Sequence, residues 1–413
     1  MPARPETACL VAPLATLLTA ASLLAQDAPV TSLADALRRA RTVAPAADLA
    51  RAQVAIARGR TREETQWANP EFTYRREDLA PNTDVPGDIF TEASVPLPVT
   101  GRRIALRGAG VEGLARARAD STTIVAQLEA DVATAWWSLV RAEALAEVTR
   151  SYRAAVDSIA VFDSLRAREG AIAEVIALRA RVEADRAVLA EVTASAELAR
   201  ARAVLAQLLA LPGDALAPVA RTAYAQLLPP MDGTPSAPVA PPRRPELLAA
   251  EAAEREARRR AQAAGWAAIP DFTLTGGTKQ TGPLRYAVFA VGLPIPLFNR
   301  NGGARERAAG ELLAAGATRR AVEQGVAREA EAANAARLAL RRTPPPAQLA
   351  ARAADAAQIA RAAYREGGIG QLELLEAQRA DLAAREAIVR WAAEVRLADV
   401  AWRRATGQSQ ETP

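Results

Sequence analysis

Residues 67–79 read WANPEFTYRREDL and residues 266–277 read WAAIPDFTLTGG. Each begins Trp-Ala, sets a proline two residues before Phe-Thr, and then passes into alternating apolar and polar positions. A second alternating stretch follows each one, DIFTEASVPLPVTGRR at 88–103 and YAVFAVGLPIPLFNRNG at 286–302, ending in Pro-x-Pro and then Gly. In the first copy Phe72 and Tyr74 oppose Thr73 and Arg75, and Ile89, Ala93, Val95 and Leu97 oppose Phe90, Glu92 and Ser94. The period of two predicts strand, polar loop, strand, written twice. The strands are expected at about 70–79, 88–98, 271–280 and 285–298.

The remainder is written in helix formers. Ala, Leu, Arg and Glu dominate, half of the 413 residues are apolar, and only 4% are aromatic. That composition favours long helices over a conventional globular core. Residues 31–66 keep helical spacing behind a Thr31-Ser32 cap, with Pro45 as an early interruption, either a kink or a break between two pieces. From Gly101 the helical pattern runs without a proline to Arg168, about 67 residues or about 100 Å. Gly170 in REGAI then stops the helix, and another runs from 172 to about 210 before the Pro-rich link LLPPMDGTPSAPVAPPRRP.

The second half repeats this order. A helix over 245–265 leads to the strands, a helical stretch over 303–366 is interrupted near RRTPPPAQ, and YREGGIG turns into a helix reaching Arg404. REGAIAEVIALRAR at 168 aligns with REGGIGQLELLEAQR at 365, an offset of 197 residues, and the two tryptophans lie 199 apart. So long a period, held at two landmarks, indicates an internal duplication, with repeats at 26–230 and 231–413. In each half two shorter helices, together about 75 residues, cover about the distance of the one long helix of about 67, so the halves can lie side by side with strand pairs at one end and glycine turns at the other.

Several functions are excluded by residue counts. There is no histidine, and Cys9 is the only cysteine, so Ser-His and Cys-His catalysis, disulfides and thiolate metal sites have no residues to use. No catalytic constellation and no cofactor motif is present, and an enzyme is not expected. The 52 basic and 47 acidic residues, net +5, are interleaved along solvated helix faces and form no basic block for nucleic acid. Residues 1–25 carry Arg4 and a short apolar run ending in small residues, the pattern of a secretory signal peptide. Cys9 stands at the start of that run, where it would not serve as a lipidation site.

Each strand has the length to cross a bilayer when tilted. Four strands cannot close a barrel, and open edges are not tolerated in lipid. Periodicity alone leaves two readings, a small soluble sheet on helices or one share of an oligomeric barrel; the leader and the lack of a globular core favour the barrel.

The duplicated layout, ANPEF with REDL, PLP then GRR, LPIPLFNRNGG, and YREGGIGQLELLEAQR together resemble the TolC family of outer-membrane efflux channels. The resemblance spans essentially the whole mature length. It implies a mainly α fold with a small β part. Duplicated helical hairpins would form a tunnel through the periplasm, and four strands from each of three chains would form one barrel of twelve in the outer-membrane lipid. It implies a homotrimer that docks through a periplasmic adaptor onto an inner-membrane pump and exports metal ions or small toxic compounds. WANPEFTYRREDL and LFNRNGG look more like the heavy-metal-efflux branch than the multidrug branch. A periplasmic coiled-coil adaptor would share the leader and the long helices, but would carry one hairpin between β-rich domains.

The resemblance also assigns positions. Gly170, Gly367 and Gly368 correspond to periplasmic tip turns, and locally they also read as ordinary helix caps. Pro98, Gly101, Pro296 and Gly302 correspond to the barrel–tunnel junction, where proline also simply breaks strand and helix. Glu373, Glu376 and Tyr364 correspond to a constriction at the tunnel entrance; the bland alternatives are a solvated face for the glutamates and helix packing for the tyrosine. Ile369 and Ile176 stand where some members carry a charged pair that locks the closed tip.

Overall fold

The computed structural model describes residues 30–77, 87–212, 216, 227, 244–342, 344–346 and 348–410. The signal-peptide segment, most of the first strand–strand loop and most of the Pro-rich link lie outside them. In chain order the elements are α1 (Leu33–Val43), α2 (Pro45–Thr65), β1 (Glu71–Glu77), β2 (Asp88–Leu97), α3 (Arg102–Arg168) and α4 (Glu174–Leu208). There follow α5 (Pro245–Trp266), β3 (Phe272–Thr281), β4 (Leu284–Gly292), α6 (Gly302–Arg342), α7 (Leu349–Arg365) and α8 (Gln371–Thr406).

Local chemistry sets these boundaries. Ser32 caps α1 by accepting the Asp35 amide at 3.2 Å. Pro45 splits the first helical stretch rather than kinking it, because it occupies the first position of α2, where no N–H is needed. The fourth strand is shorter than the alternation suggested. It ends at Gly292, and residues 293–301 are irregular, since Pro294 and Pro296 cannot donate to a ladder. β3 and β4 join through Gly282-Pro283, with Gly282 at φ 55°, the left-handed first position of a tight hairpin turn.

Among the described residues the chain forms two compact units, one from Met1–Ala47, Ala126–Val239 and Glu331–Pro413, the other from Asp48–Val125 and Ala240–Ala330. Each unit therefore draws on both sequence repeats, and α3 and α6 contribute to both.

The second unit holds the single sheet, antiparallel throughout, in the order β1-β2-β3-β4. β2 and β3 come from different repeats, and they pair over the full length from Asp88↔Thr281 to Leu97↔Phe272. Beside the sheet, α2, α3, α5 and α6 pack with alanine and glycine and are tied by Arg260–Glu64 at 3.1 Å, Arg255–Glu112 at 2.8 Å and Arg319–Glu254 at 2.7 Å.

Among the described residues the first unit has three apolar clusters, the smallest formed by Ala130, Ala133 and Val400. One gathers Leu37, Trp136, Leu139, Val140, Leu205 and Val389 from α1, α3, α4 and α8. Each such side chain, fully withdrawn from water, contributes about 1.5–3 kcal/mol of burial. Another, nearer the glycine turns, gathers Val156, Ile159, Ala180, Ala184, Tyr364 and Leu374. Alanine is the commonest buried residue of α4, so its helical neighbours can approach closely.

Candidate functional site

Two places carry candidate function: the sheet in one unit and the glycine turns in the other.

In the sheet, residues directly opposite one another share a face, and the faces alternate along each strand. The ladder registers place Phe72, Tyr74, Ile89, Val95, Leu274, Phe289 and Val291 on one face. Several of these are open to the surroundings: Phe289 is 83% exposed, Phe72 69% and Val291 68%. The opposite face of β1 to β3 is polar. There Lys279 pairs with Asp88 at 2.7 Å, Thr281 donates to Asp88, and Arg75 and Lys279 lie 4.4 and 5.2 Å from the Phe90 ring centroid. β4 departs from this division, carrying Tyr286 and Val288 on the polar side. Phe272 shares the apolar face with Leu274. An apolar surface of this extent, bounded at the hairpin end by Arg76, Gln280 and Arg285 on the same face, does not face water unaccompanied in a stable protein, and among the described residues both sheet edges, β1 and β4, lack a partner strand.

The two opening tryptophans hold the connection between strands and helices. Arg103, at the start of α3, stacks 3.8 Å over the Trp67 ring and donates to the Thr65 carbonyl. Trp266 lies against Gly101 so closely that a β-carbon there would come within 2.7 Å of its ring. Asn301 donates to the Ala264 carbonyl at 3.0 Å and tethers the start of α6. Pro98 follows the last residue of β2, Pro296 sits in the irregular stretch after β4, and Gly302 opens α6 with nothing crowding it.

The glycine turns are two copies of one helix stop. Gly170 at φ 72° and Gly367 at φ 80° are left-handed. Ala171 donates to the Arg166 carbonyl and Gly368 to the Ala363 carbonyl, both at 2.8 Å, the long-range bond of a Schellman cap. Both bonds obey the 197-residue offset. Gly368 is not left-handed, and a β-carbon there would meet the Ala363 oxygen at an ordinary 3.5 Å; of the glycine pair only Gly367 has a conformational need to be glycine.

The three constriction candidates are not brought together. Glu373 and Glu376 are exposed on α8, and Glu373 also accepts the Gly370 amide at 3.0 Å as part of the helix cap. Tyr364 is 6% exposed and does not line an opening with them. Its hydroxyl donates to Asp163 at 2.7 Å, and its ring meets Phe162 edge-on at 6.2 Å. The ring belongs inside because α7 turns that face onto α3, where the buried Asp163 supplies an acceptor. Ile369 packs beside the apolar cluster, and the Ile176 backbone oxygen accepts from Gln371 at 2.7 Å.

A buried polar network joins the two hairpins within this unit, and the sequence reading did not single it out. Asp163 is fully buried and accepts from both Tyr364 and Gln371, the latter at 2.6 Å. Glu183 is 6% exposed and accepts from Tyr152 at 2.7 Å and from both arms of the Arg379 fork, Nε at 2.9 Å. The Arg379 hydrogen bonds, with help from Tyr152, outweigh burial and hold the Glu183 carboxyl at about 2. Burial and the Asp163 acceptor push Tyr364 up to about 12, so it stays a donor. A signal existed: Asp163 follows Val156, Ile159 and Ala160 at helical spacing, and Glu183 sits among Ala177, Ala180, Ala184 and Ala187. A lone carboxylate on an apolar stripe requires a buried partner. Among the described residues no group of three or more His, Cys, Asp or Glu is arranged to hold a metal ion.

The described residues thus combine long paired helices ending in glycine turns with a four-stranded sheet that has one apolar face and two edges without a partner strand. Residues 239–408 match the family described as outer membrane efflux protein. The fold matches a membrane protein from Pseudomonas aeruginosa at TM-score 0.73 and 23% identity, over 91% of this chain and 93% of that one. It also matches the outer membrane protein VceC from Vibrio cholerae at 0.72 and 18%, over 91% and 96%. The channel CusC matches at 0.70 and 20%, over 91% and 92%. No curated protein matches the sequence. The family match lies in residues 239–408, and the fold is shared over 91% of the chain with these solved structures, which supports the resemblance read from the sequence.

Proposed function

We propose that this chain is one third of a passive export duct in the outer membrane. The observation that carries this reading is the sheet. Its strands β2, β3 and β4, of 9 to 10 residues, match a tilted bilayer crossing, with the described part of β1 shorter at 7; its apolar face suits lipid, and its polar face suits a water-filled lumen. No described helix is long and apolar enough to cross a membrane. Because β1 and β4 run antiparallel to each other, β4 of one copy can add to β1 of the next in the same alternating sense. Three copies then close a barrel of twelve strands with no edge left in lipid.

The helical units would form the periplasmic tunnel, with the glycine turns at its tip meeting an adaptor and, through it, an inner-membrane pump. Glu373 and Glu376 would ring the entrance. WANPEFTYRREDL and LFNRNGG favour metal ions as cargo over larger toxic compounds. Mass measurement in detergent tests the core of this reading, with a trimer expected. Phe289→Arg, on the apolar face, should cost assembly about 2–4 kcal/mol in lipid, whereas Thr275→Arg, on the polar face, should leave trimers intact. A detergent-free monodisperse monomer, or equal tolerance of both changes, would refute it.

A further inference from the structure

Among the described residues, one face of α4 has no partner. Val175, Leu178, Val182, Asp185, Leu189 and Val192 recur at alternating steps of three and four, the spacing of a coiled-coil seam. The apolar members are open, Leu178 at 60% and Leu189 at 67% exposed. This seam lies opposite the helix face that carries buried Ala177, Ala180, Ala184 and Ala187. Asp185 interrupts the seam, is exposed, and has no ion-pair partner among the described residues. A carboxylate in the middle of a packed seam is tolerated only opposite a cation.

The other flank of the same unit supplies one. On α7 the buried face carries Ala357 and Tyr364, and Ile359 and Arg352 lie on the opposite face, seven residues apart. Ile359 is 68% exposed, and the hydrogen bond described for the Arg352 side chain goes to Gln348 on its own turn. Leu178 and Ile359 each stand 8 residues from their turn glycines, Gly170 and Gly367, and Asp185 and Arg352 each stand 15. The two turns are level: Glu183, 13 residues past Gly170, meets Arg379, 12 past Gly367. α4 leaves its turn and α7 approaches its own, so residues at equal counts stand at equal height on antiparallel helices.

We propose that the α4 seam docks against α7 of a second copy of this chain, with Leu178 on Ile359 and Asp185 paired with Arg352. This rests on the trimeric duct reading and adds the register of the tunnel-wall contact. Rotation about an axis along the helices preserves height, so the residues that match in one copy also meet between copies. The apolar pair supplies burial, and the ion pair sets the register, because a slip by one heptad would put Asp185 against Ile359.

The test uses the purified channel in detergent with no adaptor. Leu178→Cys with Ile359→Cys, treated with a short bis-maleimide that spans packed helix axes about 8–10 Å apart, should give covalent dimers and trimers. Each single variant should not. Leu189→Cys with Ile359→Cys, offset by about 16 Å along the helices, should not crosslink either. Asp185→Arg should lower the yield of the first pair several-fold, and adding Arg352→Asp should restore it. Trimers by mass with no Leu178–Ile359 crosslink would overturn this contact, leave the duct intact, and assign the α4 seam to a different protein. Monomers by mass would overturn the duct and this contact together.

Discussion

Replacing Arg379 by Ala isolates the strongest link between the two helical hairpins. Glu183 keeps only 8% of its side chain exposed, whereas Arg379 keeps 44%. The carboxyl falls from 4.5 to about 2 in the folded protein, which corresponds to about 3 kcal/mol favouring the ionised, paired form. The half-exposed arginine is partly screened by water, and Tyr152 would still donate to the orphaned carboxylate, so the expected loss is about 2–3 kcal/mol. Hydrogen exchange reads this locally: amides of α4 around 177–187 and of α8 around 374–384 should lose protection by about 30- to 150-fold. The pH dependence has a definite sign. Because the folded carboxyl is depressed, its stabilisation is complete above the unfolded value near 4.5 and disappears as pH falls towards about 2. Glu183→Gln should remove that window, as the amide does not titrate. Unchanged protection in Arg379→Ala, or the same acid-side loss in Glu183→Gln as in the native chain, would refute the clamp.

The turns and the entrance are tested separately. Gly367→Val forces a β-branched residue to φ 80° and should lower stability by about 1–2 kcal/mol, while Gly368→Ala should stay within about 0.5 kcal/mol; chemical denaturation of the trimer compares them. Glu373→Gln with Glu376→Gln should reduce cation selectivity in planar-bilayer recordings without changing trimer mass, and an unchanged reversal potential in a salt gradient would remove the acidic pair from the selectivity argument.

The periodicities were legible because each is local. Alternation around Phe72 and Leu274, helical spacing up to Arg168, and the glycine stops at 170 and 367 all act over a few residues, and apart from the end of β4 the elements begin and end near where the sequence placed them. The departures came where two elements compete for one segment. β4 stops at Gly292 because the prolines that end Pro-x-Pro also end hydrogen bonding before the alternation of side chains runs out.

Long-range pairing was not legible from one sequence. Nothing in β2 or β3 announces that strands from the two repeats lie side by side, since the residues between them carry no register information. Tyr364 is assigned to the entrance by resemblance, with helix packing as the alternative; the approach of α3, bringing Asp163 within 2.7 Å of its hydroxyl, buries it in this unit. The partners of Glu183 likewise come from 31 and 196 residues away. Spacing, caps and breakers along the chain suffice to say which segments are helix, strand and turn. Tertiary structure alone decided which carboxylates are buried and by whom they are paired, because burial and pairing depend on which helix faces meet.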